Sequence, residues 1–296
     1  MSKQNSKGRA TMMGARESRS TRYTEVLLVV AVTALLGATP VFGQDPDPTA
    51  QSDEAAALAK QVQNPLANLI TLPIQANHNI GVGEFDRKMT NWNVQPVIPF
   101  PAGKYNIIAR TIIPLLSVPV DSLGSITGVG DVALSLFASP AEPGAVIWGL
   151  GPAILLPTAS NPEVLGTGKL AVGPTGVLFW GPGNWTMGAV ANNVWSIAGD
   201  SDRESINQFF AQWFINYNLG GGWALGTAPI ITCNWNAPSG ERCIIPLGLQ
   251  GSKVLKFGSM PVNLLLGYYK NVEHPTGSAD TQIRAQLNMM FPQKPN

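Results

Sequence analysis

From residue 68 onward the chain runs as a succession of strand-length segments in which apolar and polar side chains alternate, with Gly, Pro, Asn and Asp between them. A period of two is the signature of a β-strand, whose successive side chains point to opposite faces. In the segment 205–219 one face reads Phe209, Ala211, Trp213, Ile215, Tyr217, Leu219, and the other Gln208, Phe210, Gln212, Phe214, Asn216, Asn218. The segment 280–291 sets Ile283, Ala285, Leu287, Met289 and Phe291 against Gln282, Arg284, Gln286 and Asn288. Two early segments behave alike: Ile70, Leu72, Ile74, Ala76 oppose Thr71, Gln75, Asn77, Asn79, and Trp92, Val94, Pro96, Ile98, Phe100 oppose Asn91, Asn93, Gln95. The pattern predicts about twelve strands, over 68–80, 89–100, 104–116, 127–139, 144–157, 169–181, 184–198, 205–219, 222–236, 242–253, 257–270 and 280–291.

The polar face decides which all-β architecture this is. A soluble sandwich shows a charged face to water, whereas here the polar positions are amides, hydroxyls and glycines. Charged residues make up only 12% of the chain, against roughly 25% in an ordinary soluble domain. A polar lumen inside a lipid-facing wall fits this composition, and it predicts a transmembrane antiparallel up-and-down β-barrel with a short N-terminal helix. Connection lengths agree, since long links (81–88, 117–126, 158–168, 199–204, 237–241, 271–279) alternate with tight ones (101–103, 140–143, 182–183, 220–221, 254–256). Outer-membrane barrels show that asymmetry, with tight turns on the periplasmic side. Aromatics gather at the expected interfaces: Phe100, Tyr105, Trp180, Trp185, Tyr217 and Trp223 beside tight turns, Trp92, Trp195, Trp235 and Tyr269 towards the other end.

The N-terminus accounts for the compartment. Lys3, Lys7, Arg9, Arg16, Arg19 and Arg22 precede a 13-residue apolar run, Val26 to Ala38. That run is too short for a spanning helix of about 20 residues and suits a secretory signal cleaved after Gly43. Removing residues 1–43 takes away six basic and two acidic groups and carries the net charge from +1 to −3, which leaves no basic surface for nucleic acid. The predicted division is a signal peptide (1–43), a segment with a short helix capped at Ser52-Asp53-Glu54 (44–67), the barrel (68–291) and a tail (292–296). The helical segment belongs either to the periplasm or to the barrel mouth as a plug. Cys233 and Cys243 flank a turn-rich stretch in an exported chain, so a loop-closing disulfide and two buried free thiols are both open. Neither metal nor cofactor is expected, because no histidine or acid pair stands near the cysteines at zinc-ligand spacing.

Several stretches also resemble a known group: 64–75 (Asn64-Pro-Leu-Ala-Asn-Leu-Ile-Thr-Leu-Pro-Ile-Gln75), 95–100 (Gln95-Pro-Val-Ile-Pro-Phe100), 165–169 (Leu165-Gly-Thr-Gly-Lys169), 191–203 and Phe214-Ile-Asn-Tyr-Asn218. They are similar to bacterial outer-membrane barrels related to the MetA-pathway phenol-degradation proteins, often labelled "transporter" or "neuromedin U". The resemblance runs over nearly all of 64–291 and implies a channel or uptake barrel, with no catalytic or ligand residues to carry over. The cysteine pair and the short tail after Phe291 depart from that group.

Candidate chemistry is sparse. The two histidines, His78 and His274, stand without a serine at useful spacing, so an outer-membrane lipid hydrolase ranks third among the functions considered. Gly166-Thr167-Gly168-Lys169 fails as a phosphate loop, having Glu163 where glycine belongs and Leu170 where a hydroxyl is required. Asp200, Asp202 and Glu204 form an acidic loop that is a solvated turn or a divalent-cation site bridging lipopolysaccharide phosphates. Arg110, Asp131, Arg284, Gln208, Gln212 and Asn216 fall on polar faces and are expected to line the lumen, Arg110 pairing with Asp131 across neighbouring strands. The leading expectation is a passive channel for small, aromatic or weakly polar solutes, with outer-membrane lipid and lipopolysaccharide around it. A non-conducting structural or adhesive barrel comes second; the sequence does not set an oligomeric state.

Overall fold

The computed structural model describes residues 57–67, 69–257 and 260–291. The signal peptide, the Ser52 helix cap and the tail predicted above lie outside the described residues. The chain forms a closed antiparallel barrel of 12 staves. In chain order the strands are β1 (Ile70–Val82), β2 (Arg87–Val94), β3 (Val97–Ala102), β4 (Tyr105–Pro119), β5 (Ser125–Val129), β6 (Val132–Pro140), β7 (Val146–Leu156), β8 (Lys169–Trp180), β9 (Trp185–Gly199), β10 (Asn207–Gly220), β11 (Trp223–Thr227), β12 (Ile230–Asn234), β13 (Cys243–Phe257), β14 (Met260–Glu273) and β15 (Thr281–Phe291). Each of β2/β3, β5/β6 and β11/β12 is one stave in two pieces. Closure comes from β1 pairing with β15, from Ile70 opposite Phe291 to Ile80 opposite Thr281.

Alternation sorts the two surfaces as the sequence pattern predicts. On β10 the amides Asn216 and Asn218 are buried inside while Ile215, Tyr217 and Leu219 are exposed outside. Leu150, Leu178, Ile197, Leu225, Leu247 and Leu249 extend that exposed apolar surface around the barrel. A water-soluble monomer rarely exposes so much contiguous apolar area, whereas lipid accommodates it without penalty. Among the described residues no helix is long and apolar enough to cross a membrane. Exposed Phe100, Tyr105, Trp180, Trp185, Tyr217 and Trp223 ring the turn end, and Trp195 and Trp235 stand at the loop end. Tyr269 is a correction to the predicted ring: it is fully buried, and its neighbour Tyr268 faces outward. In a Tyr-Tyr dipeptide only strand register decides which ring enters the barrel, and Asn263 and Asn271, on the Tyr269 face of β14, are the inward residues.

The split staves break where the backbone cannot sustain a ladder. Pro96 and Pro229 carry no N–H, and the third break falls at Gly130-Asp131. At the second proline the neighbouring Ala228 is held from within: its N–H donates to Tyr269 Oη (3.2 Å) and its carbonyl accepts from Arg284 Nη1 (2.7 Å). Two buried side chains, from β14 and β15, thus replace the missing ladder bonds, as buried backbone groups require.

The segment before β1 enters the barrel at its turn end. Helix α1 (57–63) buries Ala59 against Leu69, Val254 and Met290. From the same helix Gln63 Nε2 donates to Asn218 Oδ1 (3.0 Å), Gln63 Oε1 accepts from Thr186 Oγ1, and Lys60 Nζ donates to the Gly183 carbonyl. The helix therefore crosses the mouth from the β8–β10 side to the β13–β15 side. Beyond it Leu66 is buried among Ile108, Phe137 and Val177. A Cβ on Gly149 would stand 3.3 Å from Leu66 Cδ2 and 3.1 Å from Phe137 Cβ, so glycine keeps room for the Leu66 side chain.

Loops close the other end. A short helix, α2 (Pro162–Leu165), is capped by Asn161, whose side chain accepts from the Val164 N–H. Cys233 and Cys243 are directly opposed on β12 and β13 and are disulfide-bonded, which selects between the two states that the sequence leaves open.

Candidate functional site

The lumen has two unlike walls. Along β1, β2, β13, β14 and β15 it is built of amides: Gln75, Asn77, Gln95, Gln250, Asn263 and Asn288 are all buried there. Across from them Ile108, Phe137 and Val177 with Val97 and Val190 make an apolar wall, continued by Ala153, Ala171 and Val194. Hydroxyls punctuate the apolar side, with Ser135, Ser139, Thr175 and Thr186 buried along it, but its larger side chains are hydrocarbon.

Most of the amide wall is hydrogen-bonded side chain to side chain. Gln75 Oε1 accepts from Asn77 Nδ2 (3.1 Å), Asn93 Nδ2 (3.4 Å) and Gln95 Nε2 (3.4 Å), while Gln75 Nε2 donates to Gln286 Oε1 (2.7 Å). Gln286 passes the chain on to Asn288 Oδ1 (2.6 Å). On the other flank Tyr269 Oη donates to Gln250 Oε1 (2.8 Å) and Gln250 Nε2 donates to Asn216 Oδ1 (3.2 Å). Amides suit such a wall because each both donates and accepts, and mutual satisfaction keeps a polar lining ordered without charge.

Two cavities of the lumen meet near its middle. One of about 190 Å³ lies at the turn end beneath α1, between Gln63, Asn64 and the apolar wall at Phe137 and Val177. The other, of about 430 Å³, opens towards the loops between Asn77, Asn91, Phe210 and Gln282. Arg110, Gln95 and Gln212 line both, and so form the waist at which they meet.

The residues singled out by sequence fall in distinct places. Arg110 stands at the waist, its Nη2 donating to Gln95 Oε1 (2.7 Å). Gln212 and Asn216 line the turn-end cavity, and Gln208 lines hollows nearer the loops. Arg284 is 1% exposed and is not on the lumen surface: besides Ala228 it donates to Asn77 Oδ1 (3.1 Å) and Gln282 Oε1 (2.9 Å), and it stacks on the Tyr269 ring at 4.6 Å. It knits the wall. Asp131 has partners other than Arg110: it accepts from the N–H groups of Ala159 (3.1 Å) and Thr167 (2.7 Å) and from Thr167 Oγ1 (2.7 Å), tying the α2 loop to the rim. The expected cross-strand pair is replaced because Asp131 sits in the break between β5 and β6, where its carboxylate is drawn to unpaired loop N–H groups.

Asp200, Asp202 and Glu204 are not gathered into one cluster: among the described residues no group of three or more His, Cys, Asp or Glu side chains could hold a metal ion. Asp200 Oδ1 instead accepts from the Asp202 N–H (3.0 Å). The side chain that matters in that loop is Arg203, which donates to the carbonyls of Pro162 (3.0 Å), Gly166 (3.1 Å) and Thr167 (3.3 Å). No sequence signal singles it out, because its acceptors are backbone atoms far along the chain. His78 lies on the outward side of β1 beside Thr90 Oγ1 (3.1 Å), and His274 pairs with Asp280 (3.2 Å) in a loop.

A second loop tie titrates. Glu241 accepts from Thr276 Oγ1 (2.7 Å) and the Thr276 N–H (2.6 Å), and these bonds, the hydroxyl's first, hold its carboxyl below the ordinary 4.5. A carboxylate with a depressed folded-state pKa contributes at neutral pH, and that contribution is lost as pH falls through the folded value. Hydrogen exchange or proteolysis of the 274–280 loop is expected to accelerate only below pH 4.5, and Glu241→Ala should give the acidic behaviour at pH 7; a loop equally protected in the variant refutes the tie.

No family model matches the chain, and no curated protein matches it. Solved structures do match. An outer membrane channel from Pseudomonas putida F1 superposes with a TM-score of 0.57 at 16% identity, over 76% of this chain and 96% of that one. The shared property is the barrel fold. The NanC porin matches with a TM-score of 0.46 at 11% identity, over 75% of this chain and 100% of the porin.

Proposed function

We propose that this chain is an outer-membrane channel for passive passage of small molecules, exported by its N-terminal signal and related to the MetA-pathway barrels it resembles. The observation that carries the proposal is the pair of cavities meeting at Arg110, Gln95 and Gln212 inside a wall whose exterior is apolar. Twelve staves enclose more than the eight that side chains alone can fill, which leaves room for a narrow aqueous path. Surrounding lipid and, at the loop end, lipopolysaccharide are the partners that such an exterior needs. No cofactor is required, since a concentration gradient drives the movement. The facing amide and apolar walls suit aromatic or weakly polar solutes, which present one side to each.

A non-conducting barrel is the second reading, and α1 with Leu66 lying across the turn end favours it. Planar-bilayer recording of the purified mature protein separates the two: discrete openings are expected, and a folded barrel without any would reject the channel.

A further inference from the structure

We propose that the waist is a binding site for small organic anions, with the carboxylate held by Arg110 and the apolar body laid against the hydrophobic wall beside it. This rests on and deepens the channel proposal by naming a solute class. Arg110 faces the turn-end cavity, the loop-side cavity and a third hollow along β6 and β7, so its guanidinium is reachable from each of these spaces in the lumen. Its one partner among the described residues is a neutral amide, Gln95, reached through Nη2 alone. The Nε and Nη1 hydrogens are therefore left for a ligand, and a planar fork of N–H donors matches a carboxylate. No described carboxylate forms an ion pair with it; Asp131 and Glu241 commit their oxygens to loop groups. The other inward arginine, Arg284, adds positive charge but is sealed under the wall. An unneutralised cation in a confined lumen raises the local concentration of anions.

The apolar half of the site is equally defined. Phe137, Val177, Val190 and Phe214 line the same cavity as Arg110, so an anion whose remainder is hydrophobic gains from both walls. An inorganic ion gains only from the arginine, and a neutral apolar molecule only from the wall. Asn263 also lines this cavity, and its buried Oδ1 has no partner. That oxygen is sealed from the cavity and takes no part in holding the ligand.

Calorimetric titration of the detergent-solubilised mature protein with benzoate and benzamide tests the site without depending on conduction. Saturable benzoate binding at least tenfold tighter than benzamide is expected. Arg110→Gln should abolish the preference for benzoate over benzamide, and Arg110→Lys should keep part of it, both variants being checked for heat-modifiable electrophoretic mobility as a sign of a folded barrel. Equal affinities for benzoate and benzamide in the parent protein, or an undiminished preference in a folded Arg110→Gln, would overturn the proposal. Bilayer recording reports separately on the channel: binding without openings leaves the anion site standing and removes the transport role.

Discussion

Deleting residues 44–66 should raise unitary conductance several-fold and speed liposome swelling in sugars and organic acids. The expected gain follows from where the segment lies: α1 spans the mouth between Gly183 and Val254, and Leu66 fills a recess among Ile108, Phe137 and Val177. Leu66 is the principal anchor, since burying a leucine side chain is worth about 2 kcal/mol, while the polar ties from Gln63 to Asn218 and Thr186 exchange readily with water. A smaller change should act in the same direction. Leu66→Asn removes that burial and puts an amide in an apolar recess, which shifts a closed-to-open equilibrium roughly thirtyfold when each 1.4 kcal/mol is a factor of ten. Single-channel recording should show longer or more frequent openings of the full-length variant. Conductance identical with and without the segment would mean that the mouth is not the limiting section.

Arg284→Met is expected to be the most destabilising single substitution in the barrel wall. It strands three acceptors at once, the Ala228 carbonyl, Asn77 Oδ1 and Gln282 Oε1, and removes the cation over Tyr269. Each buried acceptor left alone costs about 1–3 kcal/mol. Relief of the arginine's own desolvation offsets part of this, so a net loss of about 3 kcal/mol is expected. Urea titration followed by heat-modifiable mobility measures it, and Arg284→Lys should recover a minority of the loss, because one ammonium cannot reach three separated acceptors. A wild-type midpoint in the methionine variant would show that the Pro229 break holds without the arginine.

Strand number, the inward turn of Asn216 and Arg284 and the outward turn of Ile215 and Leu219 are all legible in the chain, because a period of two is a local property. The site is less so. That Arg110 stands at a waist depends on which strands lie opposite it, and Arg284 reads as a lumen charge until the break beside Ala228 is known. Asp131 reads as a partner of Arg110 on the neighbouring strand, but unpaired N–H groups in the α2 loop draw its carboxylate away. Leu66 gives no signal at all: it lies in an Asn-Pro stretch before the first strand, and only three distant staves define its pocket.

The seam between β1 and β15 joins Ile70 to Phe291, the first and last described strand positions. During synthesis the emerging chain therefore carries two bare edges, rows of unpaired N–H and C=O groups that invite pairing with other polypeptides. Neither edge can be covered until the eleven-residue β15 has been made. A chain cut short before Thr281 keeps the β1 edge bare and is expected to be degraded or to aggregate.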